Sequence, residues 1–211
     1  MRSDLVGFDQ VGPLQANTIP MLNFLTLKNQ NDLIADVVMF PLKVNRDPRG
    51  ILVETLKTNW EKVYGPGMEF AQMYYSITEP GVARDVDRWH YHPTKQIDRF
   101  GVIQGELVVA IYDWRSGSPT FGKLNLFLMG ESNGDDGQYL LLIPRNTLHG
   151  FVVVSQKPAI LFNFPNHLYD PTEEGRLPHS EYAVNFPDGR AFSWEIIKEE
   201  IYTSGKGGND G

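Results

Sequence analysis

Two short stretches of the chain hold the residue types that could do chemistry. The first is Arg88-Trp89-His90-Tyr91-His92-Pro93-Thr94-Lys95-Gln96-Ile97-Asp98-Arg99. Side chains two apart on a strand share a face. A strand here therefore turns His90 and His92 to one side, and Trp89 and Tyr91 to an outer, sheet-packing layer. The second is Leu142-Ile143-Pro144-Arg145-Asn146-Thr147-Leu148-His149-Gly150-Phe151, in which a third histidine follows a turn and opens an apolar strand. Three imidazoles allow two kinds of site. Neutral imidazole is a general base whose pKa lies near working pH. Three imidazoles with the Gln96 amide or a water could instead hold Zn²⁺, Fe²⁺, Ni²⁺ or Mn²⁺. The plain alternative is a set of hydrogen-bonded site walls.

What positions these stretches is a run of short strands. From Met68 onward the pattern is β-branched and apolar, cut by turns: Phe70 to Ile77, Trp89 to His92, Phe100 to Ile103, Glu106 to Trp114, Lys123 to Met129, Tyr139 to Ile143, Gly150 to Val154 and Ala159 to Phe164. Before them, Asp36 to Leu42 and Ile51 to Leu56 read as strands around an Asp47-Pro48-Arg49-Gly50 turn. Thr58 to Tyr64 reads as a brief helical turn closed by Gly65-Pro66-Gly67. Ile19 to Leu27 fits a short helix or a strand. Only Phe192 to Ile201 carries a clear helical period, with Trp194, Ile197 and Ile201 on one face. Many short strands with regular turns predict an all-β sandwich or barrel. The expected division is an arm over 1–36, a β domain over 37–185, and a helix with a Gly-rich flexible tail over 186–211.

Composition narrows the chemistry. The 211 residues carry a net charge of −7, which argues against a general nucleic-acid or anionic-membrane binder. With no cysteine, thiolate catalysis and disulfides are excluded, and any metal must sit on His, carboxylate or amide ligands. No apolar run approaches a membrane span, and Met1-Arg2-Ser3-Asp4 lacks a signal-peptide core, so a cytoplasmic protein is expected.

His-x-His, Gln96, Gly105 and, about forty residues on, Pro144-x-Asn146-x-x-His149 resemble the two motifs of the cupin barrel, with Asn146 where glycine is usual. Further segments narrow the resemblance. Asp47 to Glu54 is similar to an Asp-x-Arg-Gly-x-x-x-Glu opening, and Gln72-Met73-Tyr74-Tyr75-Ser76 to Gln-x-Asn-x-Ser. Ser118-Pro119-Thr120-Phe121-Gly122 matches outright, and Tyr169-Asp170-Pro171-Thr172-Glu173-Glu174 completes the set. Over roughly residues 36 to 180 the chain resembles the dTDP-4-dehydrorhamnose 3,5-epimerase family. The resemblance implies a double-stranded β-helix jelly roll, a nucleotide-sugar substrate, a homodimer and no cofactor, unless a divalent metal occupies the histidines. It implies isomerase chemistry in polysaccharide biosynthesis: a histidine removes a proton α to the keto group of a 4-keto-deoxysugar, and the proton returns on the other face. His90 aligns with the family's base, and His149 lies near it in the family's barrel. Arg49 and Glu54 lie on a strand the family exchanges between subunits, and would hold the partner protomer's nucleotide. Gln72, Arg88, His92, Gln96 and Tyr169 are further substrate-binding candidates, Tyr169 by stacking on the base.

The departures are as specific as the matches. Asp98 stands where the family's oxyanion-stabilising lysine belongs, and a carboxylate repels an enolate. Lys95 and Arg99 are its neighbours, neither in register, and either could pair with Asp98. The family's tyrosine acid aligns with Phe162 or Phe164, neither of which donates a proton. The aspartate that orients the base has only Glu181 as a faint counterpart. These losses predict proton exchange without clean inversion. A metal-dependent cupin enzyme and a non-catalytic relative are the alternatives.

Overall fold

The computed structural model describes residues 21–205, so most of the expected arm and most of the tail lie outside the described residues. Among the described residues fourteen strands and two α-helices follow in order, with 3₁₀ turns at Glu131–Gly137 and Pro171–Glu173. They are β1 (Phe24–Leu25), β2 (Val38–Pro41), β3 (Val44–Asp47), β4 (Gly50–Val53), α1 (Glu61–Tyr64), β5 (Tyr74–Thr78), β6 (Ala83–Arg84) and β7 (Arg88–Tyr91). Then come β8 (Asp98–Gln104), β9 (Glu106–Tyr112), β10 (Leu124–Gly130), β11 (Tyr139–Ile143), β12 (Leu148–Val153), β13 (Ala159–Asn163), β14 (Gly175–Pro178) and α2 (Trp194–Thr203).

Two sheets face each other. One runs β1-β10-β9-β12-β7-β14 with β6 added beside β12; the other runs β2-β11-β8-β13-β5. Strands β3 and β4 form a separate hairpin. Together these make the jelly roll that the motifs implied.

Strand alternation divides the apolar residues into three layers. On β9, Leu107, Val109 and Ile111 enter the cluster between the sheets, with Phe127 and Phe151 from the neighbouring strands and Leu141 from the facing sheet. Val108 and Ala110 of the same strand point outward, beneath Trp194, Ile197 and Ile201 of α2. Burial on both faces explains why β9 reads as a continuous apolar run. Each such side chain contributes about 1.5–3 kcal/mol on leaving water. The third cluster covers the outer face of the five-stranded sheet, where Val63 and Tyr64 of α1 pack on Leu140, Leu142, Phe162 and Phe164.

Helix α2 forms where its period placed it, and Ser193 caps it by accepting from the Glu195 N–H. Phe24 and Leu25, within the stretch read as an arm, instead pair in parallel with β10 and are buried. Trp89 is fully buried in the outer layer, as its alternation with His90 requires. Gly105 makes the turn by which the chain passes from β8 in one sheet to β9 in the other, at φ +77°, and a Cβ there would lie 2.8 Å from Ala159 Cα. Both the backbone and the space therefore call for glycine. Among the described residues no helix is long and apolar enough to cross a membrane.

Candidate active site

The three histidines converge. His90 on β7 and His149 on β12 are direct partners across the sheet, and Arg176 on β14 is the partner of His90 on its other side. Arg176, His90 and His149 thus form one row on the inner face of the seven-stranded sheet. His92 lies just past the end of β7, with its ring 4.6 Å from that of His90. The ligand-capable nitrogens of the three rings lie within 4.8 Å of one another.

The opposite sheet supplies the second wall. Phe100 on β8 pairs with Asn163 on β13, which pairs with Tyr74 on β5. Asp98, one step along β8 on the same face as Phe100, is buried at the centre. Its Oδ1 accepts from Gln96 Nε2 and from Asn163 Nδ2, both at 2.8 Å. Its Oδ2 lies 3.0 Å from His92 Nε2 and 3.5 Å from His149 Nε2. Between the walls opens a cavity of about 370 Å³, lined by Tyr74, His90, Asp98, His149, Tyr169 and Arg176 among others. A larger groove of about 680 Å³ lies elsewhere, beside Leu22, Phe121 and Pro187. Its charged lining residues Asp32, Lys123 and Asp188 are held in ion pairs, so the histidine cavity is the one with chemistry to offer.

The electrostatics separate the imidazoles. Burial pushes His90 down to about 2, helped by the nearby His149, His92 and Arg176 charges, so this ring is neutral at any physiological pH. Burial opposes the charged form of His92 too, but the Asp98 carboxylate outweighs it, and the His92 pKa is raised. As an imidazolium His92 is fully satisfied: one N–H goes to Asp98 and the other, Nδ1–H, to the Glu173 carbonyl at 2.8 Å. Burial likewise disfavours the Asp98 carboxylate, yet His149 and His92 hold its pKa well below the ordinary range. His149 Nδ1 meets the Thr147 carbonyl at 3.2 Å, while its buried Nε2 has no hydrogen-bond partner among the described residues. An arginine N–H of Arg176 donates to His90 Nδ1.

Several expectations for individual residues are met by placement and others are not. Gln72, Gln96 and Tyr169 line the cavity with His90, Asp98 and His149, and His92 stands just behind. Arg88 does not join them; it lies exposed at the start of β7, in an ion pair with Asp87 at 2.8 Å. Arg49 and Glu54 are on or beside the β3–β4 hairpin, paired with Asp47 and Lys57, and line no part of this cavity. Arg99 alternates with Asp98 and points to the opposite face. There its guanidinium donates to the carbonyls of Val63 (2.5 Å) and Phe164 (2.6 Å) and to that of Met68, and lies over the Tyr64 ring at 4.5 Å. Asp98 therefore pairs with histidines, not with Arg99 or Lys95. Glu181 is exposed and outside the site. The carboxylate that supports the histidine loop is the buried Glu173, which accepts from Thr94 Oγ1 and from the Thr94 and Lys95 N–H groups. Phe162 and Phe164 also point outward, into the α1 cluster. The inward residue of β13 is Asn163, between them. Arg84, Asp85, Tyr74, Glu174 and Arg176 line the cavity and were not anticipated. Strand parity from Gln72 would have found Tyr74; the short β6 and β14 gave no signal for the others.

The imidazoles of His90, His92 and His149, with the Gln96 amide, have a donor set that could also hold a divalent cation.

The family model for dTDP-4-dehydrorhamnose 3,5-epimerase matches residues 31–202, and so includes α2, which the motif resemblance did not reach. A probable low-salt glycan biosynthesis epimerase of Haloferax volcanii is 42% identical over 149 residues, covering 69% of this chain and 88% of the relative. A spore coat polysaccharide biosynthesis protein of Bacillus subtilis is 30% identical over 156 residues, covering 73% and 95%. Among solved structures, a dTDP sugar isomerase from Desulfovibrio desulfuricans superposes with a TM-score of 0.64 at 24% identity, over 82% of this chain and 96% of that one. A dTDP-4-dehydrorhamnose 3,5-epimerase from Sulfolobus tokodaii does so with 0.59 at 25% identity, over 78% and 94%. With the jelly roll and its histidine cavity in place, this match across most of the sequence establishes that the chain belongs to the dTDP-4-dehydrorhamnose 3,5-epimerase family.

Proposed function

We propose that the protein is a nucleotide-sugar isomerase that epimerises a 4-keto-6-deoxyhexose next to its keto group, with His90 as the base. The observation that carries this reading is a neutral imidazole at the wall of a cavity of sugar size, in a chain of an epimerase family. A 4-keto group acidifies the adjacent C–H bonds, and a neutral imidazole accepts the proton as the enolate forms. Arg176 covers the lone pair at His90 Nδ1 and gives way when the sugar enters. Its guanidinium is then placed to meet the developing enolate oxygen, which answers the absence of the lysine replaced by Asp98. The negative pyrophosphate of a bound nucleotide also relieves the positive surroundings that weaken His90 as a base. Asp98 acts on the other side of the row, holding His92 and Gln96 in position.

Arg49 and Glu54 fit a contact with the nucleotide in a partner protomer, since they stand exposed on a hairpin away from their own cavity. The relatives in Haloferax volcanii and Bacillus subtilis support a place in glycan or spore-coat polysaccharide synthesis. His90→Gln tests the core of the reading: deuterium exchange from D₂O into a dTDP-linked 4-keto-6-deoxyhexose should fall by about 10³-fold. Exchange at the native rate in that variant would remove His90 from the reaction.

One observation supports a second reading, a metal-dependent isomerase. The nitrogens of His90, His92 and His149 lie close enough together to share one ion. Activity that survives exhaustive chelation, in protein with no bound metal by elemental analysis, would dispose of it.

A further inference from the structure

Inversion at a carbon needs a second group besides the base. The proton leaves on one face of the sugar ring, so its replacement must arrive on the other. In this molecule the cavity walls are the two sheets, and His90 stands on the seven-stranded one. His149 and Arg176 share its row, so both lie on the wrong side to complete an inversion. The donor must come from the five-stranded sheet or from the rim.

That wall offers few acids. Asp98 has both oxygens occupied, Oδ1 by Gln96 and Asn163 and Oδ2 by His92, and an aliphatic hydroxyl such as Ser76 does not surrender its proton to carbon. Tyr169 is at the rim and 67% exposed, against 45% for Tyr74. Asp85 and Glu174 are ion-paired to Arg176 at 3.2 and 3.7 Å. Tyr74 remains. It is the direct partner of Asn163, at the cavity wall of β5. Its phenol oxygen accepts from Asn163 Nδ2 at 2.8 Å, and among the described residues nothing takes its own O–H. The proton is therefore uncommitted, and the amide behind it is placed to stabilise the phenolate left after transfer.

We propose that Tyr74 is the proton donor of this site, delivering a proton from the five-stranded sheet to the face of the enolate opposite His90. The phenol O–H bond breaks and a C–H bond forms at the α-carbon, as the enolate electron pair returns to that carbon and the carbonyl is restored. The phenolate then takes a proton from water, and no oxidant or reductant is involved. The strand partners hold the two groups together: β13 presents the amide of Asn163, and β5 presents the phenol of Tyr74 where the resemblance called for an amide. Burial and the Asp98 charge raise the Tyr74 pKa, so the phenol keeps its proton at working pH.

This assignment rests on the epimerase reading, and the experiment separates the two. The full-length Tyr74→Phe variant is given a dTDP-linked 4-keto-6-deoxyhexose in D₂O, with deuterium incorporation and the inverted product followed by NMR. Exchange through His90 should stay within about three-fold of the native rate, while inverted product falls by about 100-fold or more. Exchanging the pair, Tyr74→Asn with Asn163→Tyr, returns the phenol to the adjacent strand and should recover part of the inversion. Unimpaired inversion in Tyr74→Phe, or exchange and inversion falling together, overturns the assignment while leaving the epimerase reading in place. A native protein that exchanges no deuterium removes the epimerase reading, and the donor role of Tyr74 with it.

Discussion

At the scale of single residues, the site is a contest between burial and charge. Asp98 is a carboxylate where the mechanism wanted a cation, yet in this setting it makes one: His92 is driven toward its charged form by a neighbour that is itself driven toward ionisation. Removing one partner of a buried pair leaves the other uncompensated. Asp98→Asn should therefore drop the His92 pKa below its ordinary 6.5, because burial then acts unopposed. It should also cost about 3–5 kcal/mol of stability. An imidazole NMR titration and a urea melt would measure both; an unchanged His92 titration would contradict the pairing. His90 and His92 were legible in the sequence because they recur at strand spacing, and His149 and Asp98 because the motif resemblance singled out their positions. Arg176 was not, since one arginine after Pro171-Thr172-Glu173-Glu174 is indistinguishable from a solvated loop charge until β14 pairs it with His90. The two positions read for the family's tyrosine are separated from the cavity by strand parity. Phe162 and Phe164 both point outward, and the residue between them, Asn163, points inward.

At the scale of elements, the Ser118 to Gly122 segment shows its purpose. Asp113, at the end of β9, is fully buried and accepts from Arg115, Ser118 and Thr120, while Thr120 Oγ1 also accepts the Ala35 N–H. Burial would raise the Asp113 pKa, but these donors bring it down to about 2. A depressed carboxylate pKa stabilises the fold above the ordinary value of 3.8, and that stability is lost as pH falls toward 2. With allowance for partial solvent screening, Asp113→Asn should remove about 1 kcal/mol at pH 7 and flatten the acid limb of the stability curve between those values. A limb unchanged from the native protein would contradict the role given to this cluster. Helix α2 makes a simpler case. Ile197→Ala should cost about 2–4 kcal/mol, read from chemical denaturation, since the side chain is fully buried beneath β9. Longer strands and this helix were readable because each carries a full period of alternation. Two-residue β1 and β6 were not, because such lengths carry no period at all.

At the scale of the whole molecule, the β3–β4 hairpin stands outside both sheets, tied to the rest by the Arg46–Asp135 ion pair and by Val53 at the α1 cluster. Ile51 and Leu52 are 58% and 62% exposed there, beside Arg49. Apolar exposure of this kind on a hairpin outside the two sheets fits the strand exchange expected for a homodimer. Ile51→Glu with Leu52→Glu should shift the protein to a slower-sedimenting species and raise KM for the nucleotide sugar, with the jelly roll still folded. Arg49→Ala alone should raise KM by about ten-fold with kcat unchanged, as expected for lost uniform binding. Sedimentation velocity of the native protein as a monomer would end the exchange reading. The expectation of a homodimer came to the sequence only through resemblance, because exposed residues in one chain do not name what covers them.

Asn146 adopts φ +54° at the turn before β12, where glycine would be easier for the backbone. Its N–H donates to the His92 carbonyl at 2.7 Å, and its side-chain oxygen accepts from Trp114 Nε1 at 3.1 Å. Trp114 in turn rests against Tyr91, the residue between the first two histidines, with ring centroids 5.1 Å apart. The strand that carries the imidazoles is thus braced from behind, on the side no substrate visits. Trading that amide for glycine would keep the turn but slacken the brace, so the alignment of the reactive rings is tuned in part from the outside wall of the roll.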